Sequence, residues 1–384
     1  MDVPTTKVKF NRQNKPEFFK ELNKRVNKHF KDNNISKHAN LNMMLKTLFM
    51  ICLYFVPLIL MLTNVVTNPW AVMSLWVLMG LGMSGIGLSI MHDANHGSYS
   101  KNKNVNLTLG YIVNFIGGYH VNWKIQHNVL HHSFTNIHEH DEDISGKGLL
   151  RLSPAQERKP HFKFQAYYAP FIYSIMTVYW CTAKDFVQLA RYRKKDLLNA
   201  AGHTYTSALS QLIFNKVWYM GLVLVLPLLL IPLPWFQIVA GFFVMHFICG
   251  LVLALIFQPA HVIEETSFFT PEKDGSVENH WAIHQMKTTA NFANNSSIFS
   301  WLIGGLNFQI EHHLFPHICH VHYKKLSKIV KQTAQEYNVP YYEHETFAGA
   351  VKSHFSLLHQ LGTGTYDKKV SLPQTEKAPV YADV

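Results

Sequence analysis

Four stretches of the chain are apolar and almost free of charge, and polar segments rich in histidine, lysine and arginine separate them. The first two cover residues 43–62 and 71–91, and the second two cover 217–231 and 235–257. A helix of about twenty residues crosses the roughly 30 Å hydrocarbon core of a bilayer. The pattern therefore predicts four transmembrane helices.

The members of each pair are joined by a short linker without charge. Residues 63–70 connect the first two stretches, and Pro232-Leu233-Pro234 connects the second two. Such short connections return the chain to the side from which it came, so each pair is predicted to form a hairpin. The expected fold is an all-α integral membrane protein with four transmembrane helices in two hairpins and a cytoplasmic helical cap.

Two other apolar stretches are not assigned as crossings. Residues 106–119 are too short and contain three glycines, which favours an interfacial or re-entrant helix. Residues 166–182 contain Pro170 and Trp180 and are also predicted to lie in the membrane interface. If they crossed, the second hairpin would invert and the histidines on either side of it would face opposite compartments.

Both ends of the chain are polar. Residues 1–42 form a basic N-terminal segment, expected in the cytoplasm, that is either a flexible tail or makes specific contacts, and no secretory signal is expected in it. Residues 43–330 are expected to form the core. Residues 331–384 form a cytoplasmic C-terminal segment whose last twenty residues are expected to be disordered.

Composition supports a membrane protein and argues against a nucleic-acid partner. Hydrophobic residues make up 48% of the chain and charged residues 15%, and the net charge is +11. The basic residues flank the apolar stretches on the predicted cytoplasmic side, as the positive-inside rule expects. They include Lys124, Arg151, Lys194, Lys195, Lys324 and Lys325.

The four cysteines form no Cys-x-x-Cys motif, so neither a disulfide framework nor a thiolate metal cluster is indicated.

Histidines occur in three clusters at the ends of the predicted crossings. Each of the first two clusters contains a pair four residues apart, which shares one face of a helix, and the second and third contain adjacent histidines. A further histidine ends the fourth crossing. The predicted metal ligands are His92, His96, His127, His131, His132, His261, His312 and His313, with Gln309 as a ligand that acts directly or through water.

The number and position of these histidines predict two metal ions on one face of the membrane, so the cytoplasmic helical cap is expected to hold a di-metal site. Eight imidazoles exceed what one ion can bind, and imidazole suits Zn, Cu, Fe and Ni. Metal-bound histidines need a partner for the second ring nitrogen, and four acids are candidates: Asp93, Asp141, Asp143 and Glu311. The other histidines nearby are interpreted as packing or interface residues, with His284 and His317 the nearest to exceptions; they are His120, His138, His140, His246, His284, His317, His320 and His322.

The spacing of the three clusters resembles the three histidine boxes of the membrane-bound fatty acid desaturases. The boxes correspond to residues 92–96, 127–132 and 309–313, and the flanking sequences at 123–128 and 307–316 add to the match. Glutamine at the start of the third box is similar to the front-end subgroup, the delta-5 and delta-6 enzymes of which linoleoyl-CoA desaturase is one. Three residues separate His127 from the pair that follows, whereas many front-end members have two.

The resemblance implies a di-iron enzyme that uses dioxygen and two electrons to place a cis double bond in an acyl chain. His261 is the expected additional ligand. The substrate would be acyl-CoA or an acyl-lipid, and membrane lipids surround the protein. No His-Pro-Gly-Gly motif of a fused cytochrome b5 domain is present, so a separate ferredoxin or cytochrome b5 is the expected electron donor. A form without that domain suggests a bacterial inner membrane, with the active site facing the cytoplasm.

Two other functions fit part of the pattern. A di-iron hydroxylase on the same scaffold would use the same ligands, and the mass of the product separates the two reactions. A metal transporter or a haem protein would need ionisable ligands inside the crossings, where His246 is the one histidine.

Overall fold

We describe a computed structural model in which residues 8–146 and 148–367 are placed. This part of the chain is mostly helical. Four of its helices are long and apolar enough to cross a membrane, which confirms the number that the hydrophobic pattern predicts. They are Leu41–Leu62, Pro69–Asn95, Tyr205–Leu230 and Trp235–His261.

Three of the spanning helices differ from the predicted bounds by four residues or more at one end, and the first differs by two. The second continues to Asn95 and the fourth to His261, so both helices carry histidines within their last turns. The third begins at Tyr205 instead of residue 217. Polar residues hide this early start from the hydrophobic pattern, but packing extends the helix, because Ala208 and Leu212 are completely buried.

The first, second and fourth spanning helices pack closely through glycines. A Cβ atom on Gly82 would lie 2.7 Å from the backbone nitrogen of Tyr54 in the first helix. A Cβ atom on Gly80 would lie 2.7 Å from the Met245 carbonyl oxygen in the fourth. Small residues of this kind let helix backbones approach in a membrane, where lipid provides no hydrophobic driving force for association. The outer faces instead expose large apolar side chains such as Leu48 and Phe214.

Shorter helices form the remainder of the structure. The α-helices are Pro16–Asp32, Lys103–Tyr111, His120–Lys124, His132–Phe134, Gln165–Ser174, Met176–Tyr179, Asp185–Lys194, Leu197–Ala200, Trp281–Thr288, Ser297–Leu302, Gln309–Leu314, Tyr323–Glu336 and Phe347–Thr363. The 3-10 segments are Ile112–Ile116, Glu142–Ile144, Pro160–Phe164 and His320–His322. π-helical turns occur at Ile86–Ile90, Ile125–His131, Trp180–Lys184 and Gly221–Val225.

Two short parallel strand pairs tie the first and last parts of the described chain to the rest of the fold. Lys9–Phe10 pairs with Ser276–Val277, and Ala290–Phe292 pairs with Tyr342–His344. The helix Pro16–Asp32 buries Phe18, Leu22, Val26 and Phe30 in a core shared with Tyr323–Glu336. The described part of the N-terminal segment therefore makes specific contacts and is not a free tail.

The two shorter apolar stretches pack against the spanning helices. Residues 103–116 end at Gly117, whose φ of +86° favours glycine and whose carbonyl oxygen accepts a 2.7 Å hydrogen bond from Lys216. Gln165–Ser174 lies against the fourth spanning helix, where a Cβ atom on Gly250 would approach the Ser174 carbonyl oxygen to 2.6 Å. Neither stretch is long and apolar enough to count as a span. Their position at the membrane interface remains a prediction.

The C-terminal part of the structure is ordered as far as it is described. Phe347–Thr363 packs on the residues that follow His261, through the 2.7 Å hydrogen bond that His354 donates to the Val262 carbonyl oxygen. Most of the tail that the sequence predicts to be disordered, residues 368–384, lies outside the described residues.

The glycine contacts make a testable prediction about stability. Gly82→Leu should lower the midpoint of thermal unfolding in detergent, because the side chain cannot fit against Tyr54 and overpacking of this kind costs about 1–3 kcal/mol. Gly221→Leu in the third spanning helix is the matched control, since a Cβ atom there has no neighbour within 4 Å. Equal midpoints for the two variants would contradict the close packing.

Candidate metal centre

The eight histidines that the sequence predicts as ligands come from four separate parts of the chain and meet in one place. His92 lies in the last turn of the second spanning helix and His96 directly after it, and His261 ends the fourth. His127, His131 and His132 come from the helical segment 120–134, and His312 and His313 from Gln309–Leu314. All are buried except His96, which is partly exposed.

The histidines form two groups joined by His132. In the first group, one ring nitrogen from each of His92, His96, His127 and His312 lies within 4.8 Å of the others. In the second group, His131, His261 and His313 meet the same condition. The Nε2 atom of His132 lies 2.9 Å from that of His312, and its ring stacks on His313 at 4.4 Å. His132 can therefore serve either group.

A π-helical turn sets the geometry of the second cluster. Residues Ile125–His131 are wound more loosely than the regular α-helix that the spacing predicts. The rings of His127 and His131 nevertheless stay nearly parallel, at 24° and 5.5 Å. His127 belongs to the first group and His131 to the second, so a single helical turn contributes a ring to each group. Such turns are rare and often mark functional sites.

Several of these buried nitrogens have no protein partner, which fits a bound cation. The Nε2 atoms of His96, His261 and His313 lack a hydrogen-bond partner among the described residues. The Nε2 atoms of His92 and His127 face each other at 3.0 Å. Buried polar atoms rarely remain unpaired, and the lone pairs of neutral imidazoles are good ligands for a transition metal.

In the second group, the other ring nitrogen of each histidine is held by an oxygen atom. The Nδ1 atom of His131 donates to the Asp141 carboxylate at 3.1 Å, as the sequence suggested. His261 donates to the Thr288 carbonyl oxygen at 3.1 Å, and His313 donates to Gln285 at 2.9 Å. These bonds direct each Nε2 lone pair towards the centre of the group.

The sequence did not reveal Thr288, Gln285 or Tyr323, whose hydroxyl lies 3.3 Å from the Nδ1 atom of His312. A backbone carbonyl and a neutral side chain carry no signature in spacing or charge. The remaining predicted acid of this group, Asp143, lies 3.4 Å from the Nδ1 atom of His131 and accepts a hydrogen bond from Gln126.

Burial keeps most of these imidazoles in the neutral form that binds metals. Burial lowers the pKa of five histidines well below the ordinary value, and neighbouring rings lower it further; they are His96, His127, His132, His312 and His313. Burial also acts to lower the pKa of His131, but Asp141 and Asp143 outweigh it and raise this pKa to about 9. The second group thus holds a compensating negative charge.

Two of the predicted supporting acids have other partners. Asp93 accepts a 2.8 Å hydrogen bond from His320, and its distance to the nearer ring nitrogen of His92 is 3.9 Å. Glu311 accepts hydrogen bonds from Asn291 and Tyr341 and touches no histidine of the two groups. Burial raises the pKa of Glu311 to about 7.

Gln309 is buried in the same short helix as His312 and His313. Both amide atoms of its side chain lack a hydrogen-bond partner among the described residues. An unpaired buried amide fits a side chain that faces a ligand or a bound water, which is the role that the sequence suggested.

The histidines that the sequence set aside lie outside the two groups. His284 binds the Thr135 carbonyl oxygen at 2.7 Å, and His317 is exposed. His246 lies within the fourth spanning helix and contacts Tyr219. His320 also lies outside both groups, but it is buried and contacts Asp93, which lies next to His92 in the sequence. Its place in the sequence gave no spacing signal that could have identified it.

Comparison with known proteins identifies the family. Residues 68–345 match the profile named fatty acid desaturase. The sn-1 linoleoyl-lipid 6-desaturase of Synechocystis sp. is 35% identical, and the match covers 90% of this chain and 95% of the relative. The enzyme of the same name from Arthrospira platensis is 36% identical over 96% and 99% of the two chains.

A third relative matches a comparable share of this chain. The acyl-lipid (8-3)-desaturase of Physcomitrium patens is 33% identical, and the match covers 90% of this chain and 72% of the relative. The family profile spans both histidine groups and three of the four spanning helices completely. The chain therefore belongs to the fatty acid desaturase family and is an oxidoreductase that desaturates fatty acyl chains.

Proposed function

We propose that the protein is a front-end desaturase that introduces a cis double bond at the delta-6 or delta-5 position of an acyl chain carried by a membrane lipid. The relatives from Synechocystis and Arthrospira are named for linoleoyl-lipid and the 6 position, and each aligns over nearly its whole length. The observation that carries the proposal is the convergence of eight histidines into two linked groups within a family of desaturases.

We propose that each histidine group holds one iron ion. His92, His96, His127 and His312 would bind the first, and His131, His132, His261 and His313 the second. Gln309 would contribute through its side-chain oxygen or a bound water. The unpaired Nε2 atoms support this assignment, since an all-imidazole donor set without thiolate suits iron among the transition metals. Bound iron would activate dioxygen, which is the oxidant needed to remove hydrogen from a methylene group.

The chain itself provides the conditions for that chemistry. The carboxylate of Asp141 and the oxygens of Thr288 and Gln285 orient three of the rings. The histidines lie in a buried region from which bulk water is excluded, and exclusion protects a reactive centre from side reactions. The acyl chain would approach from the bilayer, because the second and fourth spanning helices both end at the site.

For the membrane arrangement, we propose two hairpins with the histidine groups on the cytoplasmic side of a bacterial inner membrane. The linkers 63–68 and 231–234 contain no charged residue, whereas lysines and arginines surround the opposite ends of the helices. This bias follows the positive-inside rule. The same basic residues would attract anionic lipid headgroups, and a separate ferredoxin or cytochrome b5 would supply the two electrons.

Product analysis tests the proposed reaction. A bacterial host that expresses the protein and receives linoleate and oleate should accumulate lipids with one new double bond nearer the carboxyl end. The fatty acids of the whole cell, of the lipid pool and of the CoA pool are converted to methyl esters. Their masses and the positions of their double bonds are then measured. A product that gains an oxygen atom would instead show the hydroxylase, and a new bond on the methyl side would contradict the front-end assignment.

The histidine groups predict a sharp difference between two alanine substitutions. His131→Ala should abolish the new product while the protein remains in the membrane. The product yield should fall at least by the factor of about 10–100 that is typical when a residue supporting a metal ligand is lost. His317→Ala is the control, because this exposed histidine lies outside both groups and should retain activity. Both variants are compared by product yield per amount of membrane protein. Full activity of His131→Ala would overturn the ligand assignment.

The proposed topology predicts opposite labelling of two introduced cysteines. In intact cells, a membrane-impermeant maleimide should label Asn64→Cys in the first linker. Lys195→Cys should react only after the cells are permeabilised. The parent chain, with its own four cysteines, gives the background signal. Labelling of both positions from outside would rule out the two-hairpin arrangement.

A further inference from the structure

A buried lysine in the first spanning helix has a single hydrogen-bonding partner described near it. Lys46 is 2% exposed, and its ammonium group lies 2.7 Å from the Nε2 atom of His320 and 5.4 Å from the ring of Trp301. Burying a charge in a membrane helix is costly, so such residues usually have a function. Neither the histidine spacing nor the proposed reaction accounts for Lys46.

The contact with Lys46 defines how His320 is bonded. The ammonium group can only donate, so the Nε2 atom of His320 accepts. The Nδ1 atom then carries the proton and donates to Asp93 Oδ2 at 2.8 Å. The backbone nitrogen of His320 donates to the same oxygen at 3.1 Å. Lys46, His320 and Asp93 thus form a chain of hydrogen bonds in which the ammonium and carboxylate charges cancel and the imidazole is neutral.

Asp93 connects this line to the first histidine group. Its Oδ1 atom lies 3.9 Å from the Nδ1 atom of His92, which has no hydrogen-bond partner among the described residues. The Nε2 atom of the same ring faces His127 at 3.0 Å inside the group. The carboxylate is therefore a charged group beside the unpaired Nδ1 atom of His92. His320, which is bonded to Lys46, fixes where that carboxylate lies.

The second group offers a comparison within the same molecule. There the carboxylate of Asp141 contacts His131 directly and is held by the backbone nitrogens of Asn136 and Asp143, each at 2.9 Å. Each group thus has one buried carboxylate beside one of its rings. Local backbone holds the Asp141 carboxylate, whereas the distant residue His320 holds that of Asp93 and is itself bonded to Lys46.

We propose that Lys46 and His320 are positioning residues for the first iron site, acting through Asp93 on His92. The inference rests on the proposed iron-binding function and deepens it. Removing the ammonium group leaves Asp93 as a buried anion without its balancing charge, so the carboxylate and the ring of His92 lose their fixed position. Loss of such support typically lowers metal affinity by about 10–100-fold.

The test measures iron bound per chain in purified, folded protein. Lys46→Met removes the charge at nearly constant length, and Lys46→Arg retains it. Lys352→Met is the control, because this lysine is exposed in the helix Phe347–Thr363. At a free iron concentration that just fills both sites of the parent chain, Lys46→Met should bind about half as much iron, since the second group is intact and the affinity of the first falls by about 10–100-fold. Lys46→Arg should recover most of it, and Lys352→Met should match the parent.

The outcomes separate the inference from the function on which it rests. Parent-level iron in Lys46→Met overturns the inference and leaves the proposed function in place, whereas a parent chain that binds no iron overturns the proposed function. If Lys46→Met does not accumulate in the membrane, the double variant Lys46→Met with Asp93→Asn decides. Recovery of folded protein with half the iron supports the coupling of the two residues, and failure to recover contradicts it.

Discussion

Imidazole nitrogens that face one another in a buried space are the constraint on which the rest of this structure depends. Lone pairs at about 3 Å repel unless a proton or a cation lies between them, and burial removes these rings from the bulk water that would screen them. Arranging eight such rings requires that each be held from behind. The spanning helices, the looser π-helical turn of Ile125–His131 and the short helix Gln309–Leu314 together meet this requirement.

The two groups are supported in different ways. The second is held largely by nearby oxygens, from Asp141, Gln285 and the backbone of Thr288. The first depends on contacts that join the first spanning helix, the second spanning helix and the loop after the third histidine box. The first group is therefore the more sensitive to how the helices pack, and the glycine contacts of Gly80 and Gly82 lie in the same bundle.

Hydropathy and histidine spacing were sufficient to predict the four spanning helices and the eight histidines that converge. They failed where tertiary contacts decide. The early start of the third helix at Tyr205 depends on buried Ala208 and Leu212, and polar neighbours conceal it. Spacing also gives no sign that Asp93 accepts a hydrogen bond from His320, or that Glu311 accepts hydrogen bonds from Asn291 and Tyr341. Thr288 acts through its backbone, which no side-chain pattern records.

The second and fourth spanning helices connect the thickness of the bilayer to the two histidine groups. His92 belongs to one histidine group and His261 to the other, and each is attached to a helix of 27 residues. Helices tilt to match the thickness of the surrounding hydrocarbon, at a cost of fractions of a kcal/mol per Å. A change in membrane thickness that tilts one of these helices relative to the other would therefore act on the separation of the two groups.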